Sequence, residues 1–288
     1  MEFGQKPTIK ENLKAEWRPF LAKIAFLGSV VWGANWYMYP ENVTEMVHED
    51  AVPLIGDELT VMTVNVHSWR EDGEQIKAAP AEPVDVLDEL QGALEEHDPD
   101  VVCMQEVTKG GELDELFDSG YNILHATTTR YFFSAEFGNA VMSKAPLQLI
   151  DVEKLPSKET RTPRNAILFE LDTKDDKPLV MAATHFGLDQ KERGSQAKKI
   201  MRSYGDVLKG GCGDFNSDDD EISQGALGPL QSRSNLQFNL PTFPAKEPTR
   251  EIDHIMLECG KSAPFMLKTF DIGSDHKGVV QTFDIADC

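Results

Sequence analysis

Short apolar segments, many rich in β-branched residues, recur from residue 59 to the end of the chain. The first of them, LTVMTVNV at 59–66, alternates between two faces and predicts a strand. The segment VVCMQEV at 101–107 is a continuous apolar run that ends in polar groups, which is typical of a buried strand. Further strands are predicted at 121–126, 138–143, 147–153, 164–171, 178–184, 206–213, 251–257, 265–270 and 278–284.

Helical periodicity is confined to two segments between these strands. In VDVLDELQGALEEHDPD the residues Val84, Leu87, Leu90 and Leu94 share one helical face, and the pattern stops before Pro99. The second predicted helix covers 190–203. Strands outnumber helices, and the helices lie mainly between strands that could run parallel, so we expect two packed sheets flanked by helices rather than an open doubly wound sheet.

Length and charge restrict the organisation and the partners. The 288 residues and 40% hydrophobic composition suit one domain of roughly 230–250 residues plus an N-terminal extension, or two smaller domains. The net charge of −21 disfavours indiscriminate binding of nucleic acid through a basic surface. It leaves a phosphate-processing site open, because a bound metal ion can invert the local potential.

One membrane candidate lies near the N-terminus, in LAKIAFLGSVVWGANWYMYP at 21–40. Basic residues precede it and acidic residues follow it, which favours an inside-to-outside anchor or signal segment at about 20–39. We therefore expect membrane association and an extracytoplasmic location for the rest of the chain. The alternative is an amphipathic helix packed on the domain or lying on a membrane face, which would allow a cytoplasmic location.

The four cysteines form no C-x-x-C pair, so a zinc site or a redox motif is not indicated. Cys103 lies in an apolar run and Cys212 beside a glycine-rich strand end. Both are predicted to be small buried hydrophobic residues. The cysteines alone do not indicate a compartment.

Polar side chains of four types, Asn, Asp, Glu and His, recur where the predicted strands end. A single strand-end aspartate usually caps the next turn, but six such sets are a different observation. Packed sheets can bring the ends of distant strands to one rim, where oxygen ligands meet a hard cation. The sets are Asn65 with His67, Gln105 with Glu106, His185, Asp214 with Asn216, Asp253 with His254, and Asp275 with His276.

The local sequences around these residues resemble the successive motifs of the endonuclease/exonuclease/phosphatase superfamily. The motifs are MTVNVHSW, DVVCMQEV, GNAVMSKAPL, ATHFGLD, GCGDFNSD, REIDHIM and GSDHKGVV, in family order from about 59 to 284. That superfamily includes deoxyribonucleases, abasic-site endonucleases, sphingomyelinases and inositol polyphosphate phosphatases. The resemblance implies a four-layer α/β sandwich over 56–288, with 1–50 as an extension outside it.

The resemblance also implies roles for individual residues. Glu106 and Asn65 are expected to bind Mg²⁺ or Mn²⁺, and Asp275 is a further candidate metal ligand. Asp214 would hold or deprotonate the attacking water, Asn216 would donate hydrogen bonds to the phosphate, and either Asp214 or His276 could be the general base. The remaining expected roles are orientation of His276 by Asp253, contact of His185 with the phosphate or leaving group, and substrate binding by His67, Asn139 and Arg164. The alternatives are a local hydrogen bond for His67, support of the site for Asn139 and a surface ion pair for Arg164.

The predicted activity is metal-dependent hydrolysis of a phosphate ester, most simply by a phosphodiesterase that uses a metal-activated water. The main alternative is an endonuclease or exonuclease acting on DNA or RNA, and a catalytically silent binding domain is a third hypothesis. Nucleic acid and phospholipid are both candidate substrates, and no protein partner is inferred. The sequence names neither the ester, nor the number of metal ions, nor the oligomeric state.

Overall fold

The fold is taken from a computed structural model, which describes residues 42–54, 56–70, 85–130, 136–159, 162–173, 178–218, 240–258, 261–262 and 267–286. The predicted anchor at 20–39 lies outside these residues. Among the described residues, no helix has the length and apolar character needed to cross a membrane. The anchor therefore stays a prediction.

In the described part of the chain, thirteen strands form two mixed sheets. The strands are β1 (Val43–Met46), β2 (Glu58–Asn65), β3 (Val101–Thr108), β4 (Asn122–Arg130), β5 (Glu136–Ser143), β6 (Leu147–Leu155), β7 (Arg164–Leu171), β8 (Leu179–His185), β9 (Gly210–Asp214), β10 (Asp253–Leu257), β11 (Lys261–Ser262), β12 (Lys268–Phe270) and β13 (Gly278–Asp284). Sheet 1 has the order β1-β4-β5-β3-β2-β13-β11, with β12 also paired to β13, and sheet 2 has the order β10-β9-β8-β7-β6. Each sheet has one parallel pair, β2–β3 in sheet 1 and β8–β9 in sheet 2, and its other pairs are antiparallel.

Among the residues that the structure describes, three α-helices cover the outer faces: α1 (Val86–His97), α2 (Gly111–Asp118) and α3 (Gln190–Tyr204). The parallel pairs require crossover connections, and α1 and α3 supply them. The side chain of Asp85 accepts a bond from Leu87 N at the start of α1, and Asp189 does the same for Glu192 N in α3. Asp98 ends α1 in a left-handed conformation just before Pro99.

Three apolar clusters separate four layers. The first lies between the sheets and includes Phe169 and Phe283. The second lies between sheet 1 and helices α1 and α2, and the third lies between sheet 2 and α3. The predicted α/β sandwich of two mixed sheets flanked by helices is confirmed.

The glycine-rich strand β9 lies between β10 and β8 in sheet 2, and both neighbours pack very close to it. A Cβ at Gly213, whose φ is +152°, would clash with the Thr184 carbonyl oxygen of β8. A Cβ at Gly210 would lie 2.8 Å from the Leu257 side chain of β10. These glycines therefore allow the close packing that positions Asp214.

Cys103 of β3 and Cys212 of β9 form a disulfide, with 5.9 Å between their Cα atoms. Both side chains are fully buried, as their sequence context predicts. The sequence did not predict that they bond to each other. The disulfide joins sheet 1 covalently to sheet 2. Cys259 and Cys288 lie outside the described residues.

Some boundaries differ from those read in the sequence, two of them near the ends of important segments. Strand β1 pairs with β4 although it lies in the segment assigned to the extension, and the compact unit containing both sheets begins at Glu41 rather than at residue 56. The short polar strand β1 has only a weak sequence signal because it lies on a sheet edge and is half exposed. The predicted strand 206–213 begins later, at Gly210.

Candidate active site

Strand pairing brings three of the predicted site residues side by side in sheet 2. His185, the last residue of β8, pairs in parallel register with Asp214, the last residue of β9. Asp253, the first residue of β10, pairs with Asp214 from the other side. In sheet 1, Asn65 pairs with Gln105, which places Glu106 at the same rim. Both parallel pairs therefore end at this site, as expected for the carboxyl edge of such sheets.

Asp214 is the buried centre of the site, with only 1% of its surface exposed. Its Oδ1 accepts a bond from Asn216 N at 2.9 Å. Its Oδ2 accepts from Asn65 Nδ2 at 3.3 Å and lies 3.2 Å from His185 Nε2. Burial, followed by the charge of Asp253, raises the pKa of Asp214 to about 7. A carboxylate with this pKa can take up a proton near neutral pH.

His276 connects Asp214 to Asp253. Its Nδ1 donates to Asp253 Oδ2 at 2.9 Å, and its Nε2 lies 3.8 Å from Asp214 Oδ2. Burial alone would lower the pKa of His276, but the carboxylates of Asp253 and Asp214 outweigh it and raise the pKa to about 10. His276 is therefore a cation held between two buried carboxyl groups.

His185 has the opposite charge state. Arg164 Nη1 lies 3.1 Å from His185 Nδ1, and because a guanidinium can only donate, this nitrogen is assigned as the acceptor. The single ring proton is then on Nε2, facing Asp214. Burial, the Arg164 charge and the His276 charge all lower the pKa of His185 well below its usual value. His185 is thus a neutral donor to Asp214.

Strained backbone is concentrated around these groups. Among the described residues, the non-glycine residues with positive φ are His67, Ser68, Trp69, Asp98, Glu106 and Asn216. Asp98 is the C-cap of α1, and the other five belong to the strand-end segments of the site. Glu106 lies at an irregularity where the pairing of β3 with β5 shifts between Met104 and Val107. Such conformations persist where the surrounding structure enforces them, most often at functional sites.

Two kinds of group could hold a metal ion here. Asp214, Asp253 and His276 each offer one ligand atom, and these atoms lie within 4.8 Å of one another. They are all buried, and the Asp253–His276 hydrogen bond occupies two of the three residues. Glu106 and Asp275 are partly exposed oxygen donors at the same rim, and Asp275 Oδ1 lies 3.5 Å from His67 Nδ1. Partial exposure suits a cation that retains waters.

The endonuclease/exonuclease/phosphatase family model matches residues 62–276. This range runs from within β2 to His276, and it contains all of sheet 2, most of sheet 1 and every site residue described above. The chain belongs to the endonuclease/exonuclease/phosphatase family. Members of this family are metal-dependent hydrolases of phosphate esters, so the predicted family and the general class of enzyme are confirmed.

Solved structures share the fold at low sequence identity. A functionally unknown conserved protein from Enterococcus faecalis V583 is 20% identical, with a TM-score of 0.61 over 77% of this chain and 98% of that one. D. rerio TDP2 in complex with a single-strand DNA product is 17% identical, with a TM-score of 0.58 over 79% and 99%. The human Nocturnin catalytic domain with a bound sulfate anion is 14% identical, with a TM-score of 0.54 over 84% and 97%. No curated protein sequence is a significant match to this chain.

The structure brings the predicted site residues to one rim but gives some of them unexpected contacts. The amide of Asn65 bridges Asp214 and the backbone N of His67, so part of its capacity as a metal ligand is used within the protein. Asn139 is 2% exposed and donates to Asn165 Oδ1 at 2.8 Å. Because Asn139 is buried between β5 and β7, it supports the site and does not face the substrate. Arg164 is half buried, and His185 occupies one of its amino groups.

Two site residues have no counterpart among the predictions. Ser274 donates from Oγ to Asn65 O at 2.7 Å, which attaches the loop before β13 to the end of β2. It lies in the quoted GSDH motif, so a hydroxyl before the aspartate was a usable signal. Thr242 donates from Oγ1 to Asp253 Oδ2 at 2.6 Å. Thr242 lies outside the seven motifs, and its bond to Asp253 is seen only in the folded structure.

Proposed function

We propose that this chain hydrolyses phosphate esters as a metal-dependent phosphodiesterase. One observation carries the proposal: a buried carboxylate, Asp214, lies between two buried histidines, His185 and His276, and a second carboxylate, Asp253, orients His276. A purely structural cluster would gain little from a carboxylate whose pKa is raised to about 7. A hydrolytic site needs such a group to receive a proton from water.

Asp214 is the general base in this proposal. Its Oδ1 is fixed by Asn216 N and its Oδ2 by Asn65 and His185, so its orientation is set before substrate arrives. His276 already carries a proton, which makes it a poor base. The imidazolium instead offers positive charge and a donor to the phosphoryl oxygens, where negative charge develops during attack.

Glu106, Asn65 and Asp275 are the proposed ligands for Mg²⁺ or Mn²⁺. Two carboxylates and an amide are hard oxygen donors, and the partial exposure of Glu106 and Asp275 leaves room for retained waters. When bound, the ion would supply charge neutralisation at the phosphoryl oxygen and would acidify water. His67, 3.5 Å from Asp275, and Arg164 are proposed to contact the substrate.

A nuclease is the main alternative because D. rerio TDP2, which shares the fold, has been solved with a single-strand DNA product. The net charge of −21 weighs against a broad electrostatic grip on nucleic acid. A catalytically silent binding domain is the third hypothesis. It is weakened because none of the family's expected site residues is missing from the sequence.

An extracytoplasmic location with an N-terminal anchor at 20–39 is also proposed. Its support is the Cys103–Cys212 disulfide, because such bonds persist mainly in oxidising compartments. Deleting residues 1–40 should then move the protein from the membrane fraction to the soluble fraction. Unchanged fractionation would contradict the anchor.

The activity is tested by a hydrolysis screen with Mg²⁺ and Mn²⁺. The substrates are bis-p-nitrophenyl phosphate, DNA, RNA, sphingomyelin and inositol phosphates, each with and without EDTA. Wild type is compared with Asp214→Ala and His276→Ala. The proposal predicts EDTA-sensitive turnover that both variants lose, whereas plasmid nicking as the best activity would favour the nuclease. Wild-type rates in both variants would contradict the assigned site.

A further inference from the structure

We propose that Thr242 is a positioning residue for the Asp253–His276 pair, a role that rests on the hydrolase function proposed above. Thr242 lies outside every strand and helix of the fold and outside every motif that identified the family. It is nevertheless fully buried beside the reacting groups. Its contacts are directed at the two segments that carry the pair.

The hydroxyl of Thr242 acts on Asp253 directly. Thr242 Oγ1 donates to Asp253 Oδ2 at 2.6 Å, and the same oxygen accepts from His276 Nδ1 at 2.9 Å. The other oxygen, Oδ1, is buried and has no hydrogen-bond partner in the part of the chain that the structure describes. Within those residues, the orientation of the carboxylate therefore depends on Thr242 and His276 alone.

The backbone of Thr242 fixes both partners at the same time. Its N–H donates to Arg250 O at 2.8 Å, in the segment that leads into β10 and Asp253. Its carbonyl accepts from Lys277 N at 2.8 Å, directly after His276. The next residue, Phe243, packs its ring on the His276 imidazole at a centroid distance of 4.8 Å. Residues 242–243 thus fix the positions of Asp253 and His276 relative to each other.

A substitution can remove the hydroxyl of Thr242 and keep the contacts made by its backbone. A valine would keep the shape of Thr242 and the bonds of its own backbone, but it would leave Asp253 Oδ2 with His276 as its one partner. It would also remove the weaker bond, 3.4 Å long, that Thr242 Oγ1 accepts from Ile252 N. The carboxylate would then be free to rotate, and the imidazole aligned by it would lose its fixed direction. Because His276 is needed in the transition state, we expect the loss in kcat rather than in KM.

The test compares Thr242→Val, Thr242→Ser and a matched control, Thr60→Val. Thr60 Oγ1 bonds to Thr282 Oγ1 at 2.9 Å near the start of β2, five residues from Asn65, and it has no place in the site. We expect Thr242→Val to lower kcat about tenfold with KM near wild type, as is typical when an outer partner of a site is lost. Thr242→Ser should restore most of the activity, and Thr60→Val should keep it.

Two activity results would overturn the proposal: wild-type kcat in Thr242→Val, or an equal loss in Thr242→Val and Thr242→Ser, which would mean that the hydroxyl is not the agent. Should Thr242→Val not fold, Thr242→Ala removes the same hydroxyl without a new methyl contact and is judged in the same way.

A second readout separates this proposal from the function on which it rests. The Nδ1–H proton of His276, followed by NMR in protein with ¹⁵N-labelled histidine, reports the bond to Asp253 without any substrate. The proposal predicts a slowly exchanging proton in wild type and Thr242→Ser and faster exchange in Thr242→Val. Equal exchange in all three would overturn it. If wild type hydrolyses no phosphate ester, the proposed function fails, and the NMR comparison still decides the role of Thr242.

Discussion

The two sheets contribute chemically different halves to the site. The half from sheet 1 contains Glu106, His67 and Asp275, which are partly exposed and lie in or beside irregular backbone, together with the buried Asn65 at the end of β2. The half from sheet 2 consists of His185, Asp214 and Asp253, which are buried at consecutive pairing positions of regular strands. His276 follows β12 of sheet 1 but is bonded to the sheet 2 half.

The difference indicates a division of labour. Open oxygen donors suit a hydrated cation, which must enter and leave and must keep some of its waters. Buried, mutually bonded groups suit proton transfer, because burial and neighbouring charge raise the pKa of Asp214 and lower the pKa of His185. We therefore expect substitutions in the sheet 2 half to affect the chemical step, and substitutions in the sheet 1 half to affect the metal requirement.

The largest effect is expected from Asp214→Asn. The amide keeps the shape of the side chain but cannot accept a proton, so kcat should fall about 10³-fold, within the usual range for general base catalysis. Steady-state kinetics at saturating Mg²⁺ would measure this loss. The matched control is Asp218→Asn, four residues further along the chain, where the carboxylate lies 3.3 Å from Arg250 Nε. Equal losses in the two variants would refute a special role for Asp214.

The disulfide tests how the two halves are held together. Cys103 and Cys212 are 109 residues apart, so the cross-link restricts a long loop in the unfolded chain. Replacing both by alanine should lower the free energy of unfolding by about 4 kcal/mol, measured by urea denaturation. The activity of the folded variant should fall much less, because the apolar cluster between the sheets also holds the halves in place. Unchanged stability would show that the cross-link contributes nothing.

A smaller effect is expected from acid. Burial lowers the pKa of His125, in β4 of sheet 1, to about 4, whereas an unfolded histidine has a pKa of about 6.5. The unfolded chain then binds more protons between these values, so stability is fully present above pH 6.5 and is lost as the pH falls toward 4. Between pH 7.5 and pH 5 this residue alone should cost about 2 kcal/mol.

Between pH 7.5 and pH 5, the free energy of unfolding of His125→Gln should fall by about 2 kcal/mol less than that of wild type. The glutamine amide could still donate to the Val107 carbonyl, which His125 Nε2 contacts at 3.4 Å, but it does not titrate over this range. Parallel pH profiles of stability for wild type and variant would contradict the assignment of a neutral buried imidazole. The test is specific to sheet 1, because His185 of sheet 2 is unchanged in both proteins.

The sequence predicted most of the strands and most of the polar residues at their ends, because both leave local patterns in the sequence. Apolar runs gave the central strands, and the polar residues that end them gave Asp214, Asp253 and Glu106. Strand β1 and helix α2 were missed, the first because a short edge strand buries little and the second because it has only eight residues. The disulfide and Thr242 depend on contacts between distant segments, which no local pattern encodes.

The division between the halves is tested most directly by a magnesium titration of bis-p-nitrophenyl phosphate hydrolysis, comparing Glu106→Gln with Asp214→Asn. The account predicts that Glu106→Gln needs about 10- to 100-fold more Mg²⁺ but recovers much of its rate at high concentration. Asp214→Asn should stay slow at every concentration. Recovery of Asp214→Asn by added metal, or failure of Glu106→Gln to respond, would contradict the division of labour between the two sheets.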